Sequence, residues 1–224
     1  WFKLCYTAVH VEKYTEEERY QVLKMIDRRA NIGGRITIDA YGVENIPKQD
    51  GFMFFPNHQG LYDVLAIIEV CPRPFSVVMK KEVANVPFLK QVFACMKAIP
   101  LDRNDLRQGL QVIKQVAEEV KKGRNYLIFA EGTRSRKGNQ LLDFKGGSFK
   151  SAVKAQCPIV PVALIDSYKS FDTNSIKKLT VQVHFLEPIP YEEYQGMKTT
   201  EIAAMVKGRI EDTIRQYEGN TAET

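Results

Sequence analysis

The pattern of apolar and polar residues changes its period repeatedly along the chain. Residues 35–40 alternate in period two, with Ile36, Ile38 and Ala40 on one face, which predicts a half-buried strand. Short apolar runs predict further strands at 52–55, 75–79, 99–101, 126–130, 159–164 and 181–185. Segments with helical spacing lie between or after them, at 87–96, 104–123, 147–155 and 200–217. This alternation over about 180 residues predicts an α/β fold, a single domain with a largely parallel mixed sheet flanked by helices.

Residues 1–34 predict one or two helices that precede this domain. The first eleven residues are mostly aromatic and apolar, and Thr15 with Glu18 has the spacing of a capping box. Gly33 and Gly34 are expected to stop the helix that follows. Its apolar positions at helical spacing are Val22, Leu23, Ile26 and Ala30. We therefore divide the chain into an N-terminal helical segment at 1–34, an α/β domain at 35–218 and a tail at 219–224.

The helix at 104–123 has a clear one-sided apolar pattern. Asn104 is the expected N-cap, and Gly123 is the expected end. The face predicted to point into the core consists of Leu106, Leu110, Ile113, Ala117 and Val120.

The composition narrows the class of protein. The 224 residues are 44% hydrophobic and 26% charged, which excludes a disordered or low-complexity chain. The formal net charge of +5 suits an anionic substrate or a membrane surface and is too small to predict a nucleic-acid partner. Four cysteines without a C-x-x-C pair favour free thiols and a reducing compartment over a zinc site or a redox motif. No apolar run approaches the ~20 residues that would span a bilayer.

Candidate chemistry begins directly after the strand at 52–55. Residues 57–63 read N-H-Q-G-L-Y-D, so a polar turn follows a strand end, where open α/β sheets place their sites. His58 and Asp63 can form the histidine–aspartate half of a catalytic triad. The sequence has no G-x-S-x-G, Walker, G-x-G-x-x-G or H-E-x-x-H motif, so the histidine would act as a base directly on a substrate hydroxyl. The alternative is a turn histidine beside an aspartate that caps a helix.

Three further segments contain residues suited to a site. Residues 129–136 leave a strand as F-A-E-G-T-R-S-R, where Gly132 lets backbone N–H groups approach an anion and Arg134 offers a fork for a phosphate. The alternative is a solvated basic turn. At 99–103 a strand is followed by Asp102 and Arg103, which could equally form a local ion pair. At 158–164 two prolines bracket an apolar run that is also typical of a plain core strand.

Four segments resemble the four blocks of the glycerolipid acyltransferase family and occur in the family's order. They read N-H-x-x-x-x-D, I-P-L-D-R, F-x-E-G-T-R-S and I-V-P-V-A-L. The resemblance is greatest to the bacterial 1-acylglycerol-3-phosphate acyltransferases. The blocks lie within residues 52–164, half of the chain. The resemblance implies that His58 is the catalytic base and Asp63 its orienting carboxylate. It implies substrate phosphate-binding roles for Arg103, Glu131, Gly132, Thr133 and Arg134, and supporting roles for Asn57, Lys80, Lys145 and Pro161.

The chain departs from the family pattern at three positions. Gly60 stands where the family usually has Ser, and Lys97 stands where a Gly commonly precedes the second block. Gly146 stands where a second Lys often follows Lys145. These departures bear on substrate preference rather than on whether the reaction occurs.

The resemblance also implies the reaction. A fatty acyl group would pass from acyl-CoA or acyl-ACP (acyl carrier protein) to the sn-2 hydroxyl of 1-acylglycerol 3-phosphate, giving phosphatidate by direct attack, without an acyl-enzyme, cofactor or metal. The nearer alternative is an enzyme of the same family that uses glycerol 3-phosphate or another lysolipid as acceptor. The more distant one is a non-catalytic lipid-binding module.

Both implied substrates carry lipid chains, which predicts contact with a membrane surface. Residues 1–11 supply aromatic and aliphatic side chains, and Lys24, Arg28 and Arg29 lie nearby for anionic headgroups. The family's N-terminal helices serve for monotopic attachment, which implies peripheral or monotopic binding at the cytoplasmic face of the cell membrane. The alternative is a helix pair that packs on the domain's own core.

Overall fold

The computed structural model describes residues 1–102, 104–172 and 177–218. Within these residues the strands are β1 (Ile36–Tyr41), β2 (Met53–Pro56), β3 (Ser76–Lys80), β4 (Ile99–Leu101), β5 (Tyr126–Leu127), β6 (Ile159–Ile165) and β7 (Leu179–Phe185). They form one seven-stranded sheet in the order β1-β7-β6-β2-β5-β3-β4. Neighbouring strands are parallel except for the antiparallel pair of β6 and β7. The predicted α/β fold with a largely parallel mixed sheet is confirmed.

Because β6, β2, β5, β3 and β4 all run in the same direction, their carboxyl ends meet at one edge of the sheet. All four sequence segments with candidate chemistry lie on these strands or directly after them and therefore converge on that edge, as expected for an open α/β sheet. The predicted strand at 126–130 was too long, since β5 ends at Leu127. The N–H of Ile128 still donates to the carbonyl of Phe54 at 3.0 Å before the chain leaves the sheet.

Helices cover both faces of the sheet, and the core has two halves. One half lies between the sheet and α2 (Glu16–Gly34), α3 (Asp63–Val70) and α4 (Leu89–Cys95). The other lies between the sheet and α5 (Leu106–Lys121), α6 (Lys150–Ala155) and α9 (Thr199–Tyr217). Strand β2 contributes to both halves, because successive side chains point to opposite faces: Phe54 packs in the first half, and Met53 and Phe55 pack in the second. The remaining helices are α1 (Phe2–Val9), α7 (Lys169–Asp172) and α8 (Tyr191–Tyr194).

The N-terminal segment is helical and packs against the domain. The predicted capping box of α2 is present, because Thr15 accepts from the Glu18 N–H and Glu18 accepts from the Thr15 N–H. Leu4 of α1 and Leu23 of α2 are buried in the first half of the core. Arg19 is buried as well, and its Nε donates to the carbonyl of Cys95 on α4 at 2.8 Å. No helix in the described part of the chain is both long and apolar enough to cross a bilayer.

Some of the predictions for this segment were wrong. Ala30 is exposed, because the buried stripe of α2 continues through Asp27 and Asn31 rather than through the predicted position. The helix does end at the predicted glycine pair, with Gly34 as its last residue and Arg35 as its C-cap in the left-handed conformation, φ 57°. Ala40 is exposed because β1 is the edge strand of the sheet. The four cysteines carry free thiols, as predicted.

The inward face predicted for α5 was wrong in its first two turns. Leu106 is 84% exposed and Leu110 is 62% exposed. The buried residues of the helix are Val112, Val116, Ala117 and Val120. The N-cap is Asp105 rather than Asn104, since its carboxylate accepts from the N–H groups of residues 107 and 108. The helix therefore begins beyond the end of β4, where its leucines border an open cavity instead of the core.

Candidate active site

A short turn between the end of β2 and the start of α3 carries the central residues of the site. The chain turns after Pro56, presents His58, and enters α3 at Asp63. Nδ1 of His58 lies 2.8 Å from Oδ2 of Asp63. The imidazole is 16% exposed, and the carboxylate is fully buried. The structure thus brings together the two residues that the sequence analysis paired.

Four donors meet on the carboxylate of Asp63. Oδ2 accepts hydrogen bonds from the His58 ring, from the N–H of Gln59 at 2.7 Å and from the N–H of Gly60 at 3.0 Å. Oδ1 accepts from the same Gly60 N–H and from the hydroxyl of Ser167. A buried carboxylate retains its charge when hydrogen bonds replace the water it has lost. Asp63 is therefore equipped to hold the imidazole in one tautomer, with the proton on Nδ1 and the lone pair on Nε2.

Glu131 supports His58 from behind. Its Oε1 accepts from the backbone N–H of His58 at 2.6 Å, and its Oε2 accepts from the N–H of Leu142 at 2.9 Å. Burial raises the pKa of this carboxyl group, and the two backbone hydrogen bonds act in the opposite direction. The His58 ring also stacks on Phe129, with 3.9 Å between ring centroids. The position of the imidazole is thus fixed by its backbone, by one ring face and by Nδ1.

A cavity of about 540 Å³ opens in front of His58. Much of its wall is apolar, and Val77, Phe93, Leu106, Leu110, Ile113 and Ile128 belong to it. Three cationic side chains, Lys80, Lys145 and Lys150, also line it. An imidazole beside both apolar and cationic walls suits a substrate that combines a hydrocarbon chain with an anionic group.

Only part of the segment at 129–136 lines the cavity. Gly132 lines it in the left-handed conformation, φ 75°, and a Cβ atom at this position would lie 3.0 Å from Nζ of Lys145. Thr133 is exposed and Arg134 is half-buried, directly after this turn. In the part of the chain that the structure describes, Arg134 is in no salt bridge, which leaves its guanidinium available to an anion. Glu131 is absent from the cavity wall among the described residues, because its carboxylate faces the backbone of two loops.

Of the remaining predicted residues, two hold strands together near the site and one lies exposed at the cavity. Asn57 is buried and exchanges two hydrogen bonds with the backbone of Leu164, which ties the end of β2 to β6. Pro161 pairs with Phe55 in the register of those same strands. Lys80 is exposed and forms a 3.0 Å ion pair with Glu82. Arg103 lies outside the described residues.

The sequence analysis missed two residues that shape the site. Ser167 donates to Asp63 from the end of β6, 104 positions along the chain. Asn139 accepts from the side-chain amide of Gln59 at 2.7 Å and from the N–H of Asp166 at 2.8 Å. Neither residue stands in a local pattern that predicts its contact. Phe129, in contrast, begins the third block, and an aromatic residue at a strand end was a usable signal.

The chemistry available to the site follows from the side chains that the fold brings together. Among the described residues, no group of three or more His, Cys, Asp or Glu side chains is placed to hold a metal ion. The arrangement consists of a histidine with an oriented ring, a buried carboxylate and a cavity with apolar and cationic residues in its wall. It can remove a proton from a hydroxyl group that enters the cavity.

Comparison with known proteins yields one family. The acyltransferase family model matches residues 37–165. The 1-acyl-sn-glycerol-3-phosphate acyltransferase of Salmonella typhimurium is 31% identical over 172 residues, which cover 76% of this chain and 70% of that protein. The yeast enzyme of the same name, from Saccharomyces cerevisiae, is 29% identical over 185 residues, which cover 81% of this chain and 61% of that protein.

A solved structure supports the fold. The crystal structure of the 1-acyl-sn-glycerophosphate (LPA) acyltransferase from Thermotoga maritima superposes with a TM-score of 0.75 at 22% identity, covering 89% of this chain and 79% of that one. Because the family model covers more than half of the chain and the Salmonella relative is 31% identical, this chain belongs to the acyltransferase family.

Proposed function

We propose that this enzyme moves a fatty acyl group from an acyl thioester to the sn-2 hydroxyl of 1-acylglycerol 3-phosphate and so makes phosphatidate. The observation that carries the proposal is the His58–Asp63 pair at the wall of a cavity with apolar and cationic sides. The names of the relatives in Salmonella and yeast support this choice of acceptor.

The proposed chemistry follows from the orientation of His58. Its Nε2 takes the proton of the substrate hydroxyl as the oxygen attacks the thioester carbonyl carbon, and Asp63 stabilises the imidazolium that forms. When the tetrahedral intermediate collapses, the carbon–sulfur bond breaks, and the imidazolium returns the proton to the departing thiolate. No acyl-enzyme is needed. No cofactor is needed either, because a thioester is already an activated acyl donor.

The apolar and the cationic residues of the cavity wall suit the two ends of the acceptor. Each CH₂ group of the acceptor that leaves water for the apolar wall contributes about 0.8 kcal/mol to binding. Leu106 and Leu110 are exposed in this wall, and a bound hydrocarbon chain would shield them from water. We assign the phosphate to Gly132, Thr133 and Arg134 together with Arg103 and Lys145, where charge-assisted contacts set the distance from the hydroxyl to Nε2. Glu131 then acts on the phosphate site only indirectly, through the backbone of His58.

We further propose that the segment at 1–34 attaches the enzyme to the cytoplasmic face of the membrane. One side of α1 packs on the domain through Leu4, while Trp1, Phe2 and Val9 are 60%, 89% and 77% exposed. An exposed apolar face of this kind suits insertion into the boundary between headgroups and acyl chains. Membrane attachment and packing on the domain are therefore compatible, because one side of α1 contacts the domain while the opposite side is exposed.

An acyl-transfer assay with purified protein tests the function. Both donors, acyl-CoA and acyl-ACP, are combined with lysophosphatidate, glycerol 3-phosphate or a lysolipid without a phosphomonoester. We expect transfer to lysophosphatidate and at least a thousandfold loss in His58→Ala, in line with the upper range for general-base catalysis. A strong preference for glycerol 3-phosphate would support the same-family alternative, and thioester binding without turnover would support the non-catalytic module.

The phosphate assignment is tested with Arg134→Ala. Losing a charge-assisted contact costs roughly 1.5–3 kcal/mol, which corresponds to a KM for the acceptor about ten- to a hundredfold higher. The KM for the donor should stay unchanged. Arg136→Ala, two positions along the same loop and exposed, is the matched control. Equal effects on both substrates would contradict the assignment.

Membrane attachment is tested by co-sedimentation with anionic and neutral vesicles. Phe2→Ser, at a side chain that is 89% exposed, should reduce binding without affecting folding. Leu4→Ser, in the buried side of the same helix, serves as a control because it should destabilise the protein instead. Unchanged vesicle binding by Phe2→Ser would mean that attachment lies elsewhere.

A further inference from the structure

Ser167 contacts the buried oxygen of Asp63 that does not face His58. Its hydroxyl donates to Oδ1, while the His58 ring uses Oδ2. Ser167 itself is fully buried, and it follows β6 by two residues. The contact therefore connects the carboxylate to the end of β6, the strand next to β2 in the sheet.

The position of Ser167 is fixed by a chain of buried polar contacts. Its N–H donates to Oε1 of Gln59 at 2.8 Å, and the amide of Gln59 donates to Asn139 at 2.7 Å. Asn139 in turn accepts from the N–H of Asp166 at 2.8 Å. The backbone of Ser167 is thus held by its bond to Gln59 and by the neighbouring Asp166, which keeps its hydroxyl within hydrogen-bond distance of Asp63.

From this geometry we infer that Ser167 is a positioning residue, which holds Asp63 against the His58 ring and sets how strongly the ring retains a proton. The inference rests on the proposed function of His58 as the base. Asp63 has no other side-chain donor on Oδ1 among the described residues, where the only further donor is the Gly60 N–H at 3.0 Å. Ser167 is not proposed to touch substrate.

The expected consequence follows from the charge on the carboxylate. A donor on Oδ1 withdraws part of the negative charge that would otherwise stabilise an imidazolium at Oδ2. Without that donor the ring should hold its proton to higher pH. The other charged groups around the pair are Glu131, which contacts the backbone of His58, and the ion pair of Asp166 with Lys169 beside Ser167. The cavity in front of the ring adds Lys80, Lys145 and Lys150. None of them changes in a serine variant.

The first measurement is a titration of the histidine ring nitrogens by NMR. The chain has only three histidines, and His58→Ala identifies the signal of interest. In Ser167→Ala the titration midpoint of His58 should move upward while those of His10 and His184 stay in place. In an Asp63→Asn background the same serine change should have no effect on His58. A midpoint that does not rise, or an equal shift without Asp63, would overturn the inference.

The second measurement is activity as a function of pH. Ser167→Ala should lower kcat about tenfold near neutral pH, since small misplacements of catalytic groups cost up to a hundredfold. It should leave both KM values nearly unchanged and move the acid limb of the rate profile upward. A kcat within twofold of the parent would overturn the proposal. If the parent enzyme transfers no acyl group, the proposed function fails, yet the NMR titration still decides the role of Ser167.

Two control variants distinguish the loss of the contact with Asp63 from the loss of a serine hydroxyl in general. Ser170→Ala removes a hydroxyl that donates to the carbonyl of Ser167 at 2.8 Å, without contact with Asp63. Ser151→Ala removes an equally buried hydroxyl from α6. Both should leave the midpoint of His58 in place. If Ser167→Ala does not fold, Ser167→Cys keeps the size and a weaker donor, and it should shift the midpoint upward by a smaller amount.

Discussion

Asp63 and Asp27 are almost equally buried, at 0% and 2% exposure, but their surroundings are opposite. Asp63 receives four donors at the carboxyl edge of the sheet. Asp27 lies on α2, and among the described residues neither of its oxygens has a hydrogen-bond partner. Burial, with a smaller contribution from the charge of Glu69, raises its pKa to about 8, while Lys24 acts in the opposite direction.

The comparison shows two ways in which a protein accommodates a buried carboxyl group. At the active site, hydrogen bonds replace water, so the group can remain charged and stabilise an imidazolium. Between α2 and α3, the neutral acid is the lower-energy form at neutral pH, because no donor compensates for the loss of water. Similar burial therefore predicts a functional charge in one region and a protonated side chain in the other.

The largest expected effect comes from exchanging each carboxyl group for an amide. Asp63→Asn should lower kcat about a thousandfold, because the amide favours the wrong tautomer of His58. Asp27→Asn should leave kcat within threefold of the parent, because Asp27 touches neither the histidine nor the cavity in the described structure. Steady-state rates with lysophosphatidate measure both. Comparable losses in the two variants would break the distinction between the two aspartates.

The next effect is on stability and its dependence on pH. Asp27 has a folded pKa of about 8, above its ordinary value of 3.8, so the folded state binds the extra proton between these values. Its contribution to the free energy of unfolding therefore falls as pH rises from about 4 to about 8 and is lowest above that. At pH 9 the parent carries a buried charge without a hydrogen-bond donor among the described residues, whereas the amide carries no charge. Asp27→Asn should therefore be more stable than the parent by at least about 1–3 kcal/mol, since the cost of an unsatisfied buried group is larger for a charged one.

Urea unfolding at pH 5 and pH 9 provides this measurement. The advantage of Asp27→Asn should be smaller at pH 5, where the parent carboxyl group is protonated. Asp39→Asn, at a half-buried position of β1, serves as a control for removing a charge of the same sign. An advantage that does not grow with pH would mean that Asp27 is not the group that titrates.

An intermediate effect is expected at Glu131, which has two backbone donors. Glu131→Gln keeps an acceptor for only one of the N–H groups of His58 and Leu142, and its own NH₂ faces the other. We expect kcat to fall about tenfold through displacement of His58, with the KM for the acceptor unchanged. A selective rise in that KM would instead support direct contact with the phosphate.

The smallest effect is expected at Gly60, whose N–H donates to Asp63. A Cβ atom there would meet the Cα of Tyr168 at 3.5 Å, which is ordinary van der Waals contact. Gly60→Ser, which introduces the residue usual in the family, should therefore change kcat by less than about threefold, because the backbone donor remains. A larger loss would show that the turn needs more than its N–H groups to hold Asp63.

The sequence by itself determined the strands, their order along the chain and the local pair at the end of β2. His58 and Asp63 are five positions apart across one turn, so the local sequence allowed their contact, and the family resemblance selected it over the alternative of a turn histidine beside a capping aspartate. The first and last residues of β3, β4 and β6 could be predicted to within about one residue, because the apolar runs of these strands are uninterrupted.

Only the tertiary structure decided which side chains share an environment. The pattern of α5 does not distinguish a leucine in the core from one beside a cavity, because both are apolar positions at helical spacing. Asp27 and Asp63 likewise look alike in a sequence. What separates them is whether backbone N–H groups and a serine from 104 positions away reach the carboxylate. Such contacts depend on the packing of strands distant in sequence, and no local period encodes them.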